Sequence, residues 1–219
     1  MDEYFEEFLN GEGFAPAIEC RSVDKVVLQN YENSKPYQLV NYWKEFGFCG
    51  YGEGLFWTVN PANYEDVLQM WLGNTPLWRR EKFYVIARTA FGELYVRGDK
   101  SITTTIIDPH LNNILPGDDP SDDLSQEKIN QSIGVFFEVK NKKSVDYLDQ
   151  NDKPLFRRAL KKLGPLKHDE MYTFVPALAT GGIADIEHVQ KVKIHEQLSL
   201  LAELDTPVIL KSVGELFGD

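Results

Sequence analysis

Four histidines, two cysteines and several closely spaced acids are the side chains of this sequence whose types suit chemistry. Zinc-assisted hydrolysis needs a dense ligand cluster with one open position. His110, His168, His188 and His195 are scattered, and no two sit four apart around a glutamate. They read as surface or locally hydrogen-bonded histidines, and no metal is assigned. Cys20 and Cys49 belong to no C-x-x-C or Cys/His pattern, so they read as reduced thiols, with Cys49 as a small buried hydrophobe. Neither has a base at a diagnostic spacing, and no G-x-S-x-G elbow is present, so nucleophilic catalysis has no visible residue set. The glycine run from Gly47 to Gly54 lacks a Lys-Ser/Thr ending and feeds a strand, not a helix. It therefore reads as a tight helix-to-strand turn and not as a phosphate cradle.

The acids Asp118, Asp119, Asp122 and Asp123 fall in a polar stretch bounded by Pro116 and Gly117. Exposed carboxylates keep ordinary pKa values and make poor general acids at neutral pH. Their simplest reading is a solvated linker, with a partner-binding patch as the functional alternative. Among the aromatics crowded between Trp43 and Trp71, Tyr51 lies in the glycine turn and is the one expected to be exposed. An exposed aromatic beside acids suits an interface with a basic partner, since aromatic anchors supply energy and charges steer the approach. Tyr51 is therefore the expected anchor, and Glu53, Asp118, Asp119, Asp122 and Asp123 are the expected electrostatic contacts. Arg157, Arg158, Lys161 and Lys162 form one basic helix face, which reads as the solvated side of that helix, able to pair with acids of its own fold.

The whole chain supports a binding role over catalysis. Its 219 residues carry 34 acidic and 23 basic side chains, a formal charge of −11. Such a field repels phosphate backbones and anionic lipid surfaces, which argues against nucleic-acid and membrane partners, and it attracts basic macromolecules. The N-terminal stretch is acidic where a leader peptide is basic, and no apolar run approaches the roughly 20 residues of a membrane span, so a cytoplasmic protein is expected.

The elements that must position these residues follow from spacing. Tyr4, Phe5, Phe8 and Leu9 predict a short amphipathic helix over 2–9. A second helix begins near Ser22 and turns Val23, Val26 and Val27 inward. Pro36 suits the first position of a third, striped by Leu39, Val40, Trp43 and Phe46 and stopped by Gly47. A strand over Leu55–Val59 is followed by an Asn60-Pro61 helix start, with Tyr64, Val67, Leu68 and Trp71 buried and a stop at Gly73. Phe83–Ala90, Leu94–Arg97 and Ile102–Ile107 predict an antiparallel meander. Ser125 caps a helix over Glu127–Val139. Asp152 is the expected cap of a helix over Pro154–Leu163, and Met171–Ala179, Val189–Ile194 and Gln197–Leu204 complete the pattern as strand, strand and helix. Helices beside a meander, without alternating β-α units, give an α+β class. The expected modules are 1–116, an antiparallel sheet with packed helices, and 117–219, a smaller helix and strand module.

Several stretches resemble a known family. Tyr42-Trp43-Lys44-Glu45-Phe46-Gly47-Phe48-Cys49-Gly50-Tyr51-Gly52-Glu53-Gly54-Leu55-Phe56-Trp57-Thr58-Val59-Asn60-Pro61, continued by Ala87-Arg88-Thr89-Ala90-Phe91-Gly92-Glu93-Leu94, resembles the GAD-like domain. Tyr172-Thr173-Phe174-Val175-Pro176-Ala177-Leu178-Ala179-Thr180-Gly181-Gly182 and Val189-Gln190-Lys191-Val192-Lys193 are similar to the C-terminal module commonly fused to it. The combination resembles bacterial immunity proteins that protect against DNase effectors delivered by type VI secretion. The resemblance implies an α+β immunity protein with no catalytic residues and no cofactor, whose partner is a cognate DNase effector. It would block the toxin's DNA-binding or active-site surface, or distort it. A general acidic interaction protein and an enzyme with an unrecognised site are the alternatives.

Overall fold

The computed structural model describes residues 1–32 and 37–212. Asp2 caps the first helix, α1 (Glu3–Glu6), by accepting from the Phe5 N–H, and a π-helical turn over Glu7–Gly11 continues it. Phe5 and Phe8 are fully buried on its inner face, as their spacing requires. Then follow β1 (Ile18–Arg21), α2 (Lys25–Glu32) and α3 (Tyr37–Phe46). Val23, just before α2, and Val27 within it pack against the core, whereas Val26 is exposed, so the expected inward Val26 is corrected. The role expected of Pro36 lies outside the described residues.

The sheet comprises β1, β2 (Phe48–Tyr51), β3 (Phe56–Thr58), β4 (Phe83–Thr89), β5 (Leu94–Gly98), β6 (Thr104–Asp108), β7 (Asn113–Leu115) and β10 (Val208–Ile209), neighbouring one another in that order. Every pairing is antiparallel except β7 with β10. Asn60 accepts from the Ala62 N–H and opens a single turn that runs into α4 (Glu65–Leu72), which ends at Gly73 as expected.

Beyond β7, Ser125 caps α5 (Gln126–Glu138), and α6 (Lys142–Val145) and α7 (Phe156–Leu163) follow. The α7 N-terminus is satisfied by Asp146, whose carboxylate accepts from the Phe156 N–H at 2.9 Å. Asp152 is not the cap. It occupies a left-handed turn position, φ 57°, in a tight loop organised by Asp149. A separate hairpin, β8 (Glu170–Phe174) with β9 (Val189–Lys193), leads into α8 (Ile194–Leu204). The expected strand over Met171–Ala179 stops at Phe174, and Leu178–Thr180 forms a helical turn instead.

The two halves of the chain share one core. β10, from the far end of the sequence, pairs with β7, and α5 packs on α1 and α3. Trp71 of α4 donates its indole N–H to the Leu198 carbonyl of α8 at 3.3 Å. The Tyr172 N–H reaches the Ala90 carbonyl at 2.9 Å, joining the C-terminal hairpin to the β4–β5 turn. The architecture is α+β. Among the described residues no helix is long and apolar enough to cross a membrane.

Candidate partner interface

The glycine run is more than a turn. Phe48–Tyr51 forms β2, and Gly50 is required where it stands: a Cβ there would meet the Trp57 ring at 2.9 Å. The pleat turns Tyr51 inward among Phe5 and Phe8, 1% exposed, and burial pushes its phenol up to about 12. The expectation of an exposed Tyr51 anchor is thereby corrected. Cys20 and Cys49 are also corrected. The β1–β2 pairing sets their Cα atoms 4.2 Å apart, near the spacing of a pair without mutual backbone hydrogen bonds, and their sulfurs are bonded as a disulfide.

Glu53 sits in the β2–β3 connection at φ 63° with an exposed carboxylate that pairs with Arg157 of α7 at 2.5 Å. The aspartates lie elsewhere. β3 begins opposite Thr89 and β4 begins opposite Gly98, so the β2–β3 connection and the β5–β6 turn occupy opposite ends of β4. Seven residues of strand separate those ends by roughly 20 Å. The structure therefore brings the four aspartates together and leaves Glu53 apart from them.

Asp118, Asp119, Asp122 and Asp123 are all exposed, but their loop is fastened down along one end of the sheet. The Thr105 and Thr103 hydroxyls accept from the Gly117 and Asp118 N–H groups, and the Ser121 N–H donates to the Lys100 carbonyl. Arg80 pairs with Asp119 at 2.5 Å and Lys100 with Asp122 at 2.8 Å. Exposed pairs of this kind are worth about 0–1 kcal/mol each, so they orient the loop more than they stabilise the fold.

The acidic edge continues past the loop. Glu81 accepts from the Lys100 N–H at 2.7 Å, and burial raises its pKa above the usual carboxylate value. Beside it opens a groove of about 610 Å³, bounded by Glu65 and Asp66 at the start of α4, by Trp78 and Phe83, and by Glu81 itself. Acids in the first helical turn are favoured by the backbone dipoles. The groove thus combines apolar walls with carboxylates and Lys82, next to the aspartate loop. Trp78 is a half-buried aromatic, packed against the core, that the sequence reading passed over. Its signal was an aromatic beside Arg79 and Arg80, outside any apolar stripe.

Three of the four cations on the basic face of α7 pair within the molecule, and Lys161 is exposed. Arg157 pairs with Glu53, Arg158 with the buried Asp149 at 2.6 Å, and Lys162 with Glu187 at 3.0 Å. Of the histidines, His110 departs from the surface reading. It is 1% exposed, wedged against Phe174 and Tyr147, and burial lowers its pKa to about 4. The Phe91 backbone partly offsets this by favouring the protonated ring. Among the described residues no cluster of His, Cys, Asp or Glu is arranged to hold a metal ion.

Residues 3–110 match the GAD-like domain. Residues 130–205 match the C-terminal domain of the type VI secretion immunity protein Tdi1, so both modules implied by the resemblance have a matching family. No curated protein matches it. Its fold is similar to the crystal structure of Atu4351 from Agrobacterium tumefaciens, with a TM-score of 0.80 at 19% identity, over 94% of this chain and 92% of that one.

Proposed function

We propose that this chain is a cytoplasmic immunity protein that binds a cognate DNase effector of type VI secretion and keeps it from DNA, performing no reaction itself. The observation that carries the reading is the Tdi1-type domain at 130–205. The charge supports the DNase assignment. A nuclease must present cations to hold phosphates, and a chain of formal charge −11 competes for that surface.

On this reading residues 1–116 and 117–219 act as two modules on one core. Asp118, Asp119, Asp122 and Asp123, with the neighbouring Trp78 groove, form the docking edge. Glu53 is a secondary contact at the other end of β4. The carboxylates steer the encounter, and Trp78 supplies apolar contact area. Inhibition follows from covering the toxin's phosphate-binding surface.

The test is inhibition of purified effector nuclease by purified protein. Cleavage should cease at one equivalent and return as salt is raised. Full nuclease activity at a large excess of the protein, in low salt, would contradict the proposal.

A further inference from the structure

A second concavity lies away from the acidic edge, where the C-terminal hairpin meets the sheet. It encloses about 420 Å³, within the range of small-ligand sites. Arg21 ends β1 at its rim, Trp57 and Thr58 of β3 form one wall, and Asn60, Asn63 and Tyr64 supply amides and a phenol from the turn before α4. His168 and Asp169 enter from the segment before β8, and His195 from the first turn of α8.

The electrostatics of this cleft run against those of the whole molecule. Arg88 lies directly beneath it, fully buried, with its guanidinium centre 4.8 Å from the Trp57 ring and against the Tyr64 hydroxyl. Arg21 stands at the mouth. Burial lowers the pKa of both imidazoles, and the two arginines lower that of His168 further, as Arg88 does for His195. Against them stand Glu19 near His168, Glu196 near His195, and Asp169, which is neutralised through one oxygen by Lys193 at 2.5 Å. The other oxygen of Asp169 is shielded from solvent and has no partner beyond its own backbone, although the side chain as a whole is 37% exposed. α8 also begins here, and Lys193 provides it no side-chain cap. The cleft therefore offers cations, uncharged imidazoles and amide donors to an anion, together with one carboxylate oxygen that needs a donor.

We propose that this cleft binds a small oxyanion that also carries an O–H, of the hydrogen-phosphate class. Arg21, His168 and His195 receive the anionic oxygens, the Asn60 and Asn63 amides flank them, and the ligand's own O–H satisfies Asp169. An anion without an O–H leaves that carboxylate facing a like charge and is disfavoured. Because an anion stabilises imidazolium, binding tightens as pH falls through the imidazole range. The site requires no partner protein and stands apart from the immunity reading.

The experiment titrates the intact protein with inorganic phosphate, and separately with sulfate, while following the His168 and His195 ring-proton resonances. The resonances are assigned with His168→Gln and His195→Gln. Phosphate should give a saturable shift by about 10 mM, with the His195 titration midpoint displaced upward, and sulfate should bind at least about tenfold more weakly. Arg21→Gln, at an exposed position, should abolish the phosphate shift without altering thermal unfolding. An absent shift, an undiminished shift in Arg21→Gln, or equal binding of sulfate would each overturn the proposal.

Discussion

The Arg88 guanidinium lies over Trp57 and donates to the His168 carbonyl at 2.9 Å, so one buried cation ties β4 of the sheet to the entry of the C-terminal hairpin. It also donates to the Thr89 carbonyl at 3.1 Å. A planar fork that stacks and bonds two carbonyls has no lysine equivalent. Arg88→Met removes the charge and leaves the His168 carbonyl unpaired, while the Thr89 carbonyl keeps the Gly92 N–H at 3.2 Å. It should cost about 2–4 kcal/mol of stability in urea unfolding, and Arg88→Lys should recover less than half of that loss. A variant as stable as the wild type would mean that the tie carries no energy.

Gly92 makes the same junction from the other side. It turns β4 into β5 at φ 81°, and a Cβ there would lie 2.4 Å from the Met171 methyl carbon. Gly92→Ala should destabilise the protein by about 2 kcal/mol through left-handed strain and overlap together. Adding Met171→Ala should relieve the overlap and not the strain, which a double-mutant cycle reads directly.

His110 gives the fold an acid-sensitive point. Its folded pKa, about 4, lies below the ordinary histidine value of 6.5, so the unfolded chain binds the extra proton between these limits. Its contribution is therefore constant above pH 6.5 and becomes destabilising as pH falls from 6.5 towards 4. His110→Leu, which replaces a buried polar ring with an apolar side chain, should stabilise by about 1 kcal/mol at pH 7 and by more at pH 5. A stability difference independent of pH would contradict this.

Glu93 has the opposite sign. Burial raises its carboxyl to about 7, above the usual 4.5, so the folded chain holds a proton that the unfolded chain releases. Folded stability is lost as pH rises from 4.5 through 7. Glu93→Gln should therefore gain stability relative to wild type between those pH values and hold the gain at pH 8, as thermal melts across pH would show.

Much of the architecture was legible because it follows from pattern. Short β-type runs between turn residues marked the β4–β6 meander, and Asn60-Pro61, Gly73 and Ser125 marked helix ends with chemistry that is local. What escaped were positions decided by distant partners. β1 is a largely exposed edge strand with no apolar alternation to reveal it. Gly50 looked like turn chemistry, yet it is small because Trp57 packs on it from the neighbouring strand. That single strand assignment reversed the expected exposure of Tyr51 and placed Cys49 opposite Cys20. Arg88 was the clearest overlooked signal: a charge inside Val85-Ile86-Ala87-Arg88, a run that otherwise reads as fully buried strand. The shared loop of the four aspartates was legible in the sequence, but its separation from Glu53 depends on strand register, which composition does not carry.

The docking edge is tested by charge. Changing Asp118, Asp119, Asp122 and Asp123 to lysine should slow association with the effector by about tenfold or more at low salt, with a smaller effect on dissociation. Trp78→Ala should act mainly on dissociation, as loss of an apolar anchor does. An unchanged association rate would remove this edge from the interface.

The most direct measurement is a titration of effector DNase activity with the protein, paired with calorimetry of the same two components. A tight complex forming at a fixed molar ratio, whose formation tracks the loss of DNA cleavage and weakens with salt, is the predicted result. Undiminished cleavage in the presence of saturating protein, or inhibition that proceeds catalytically at far less than one equivalent, would contradict the account.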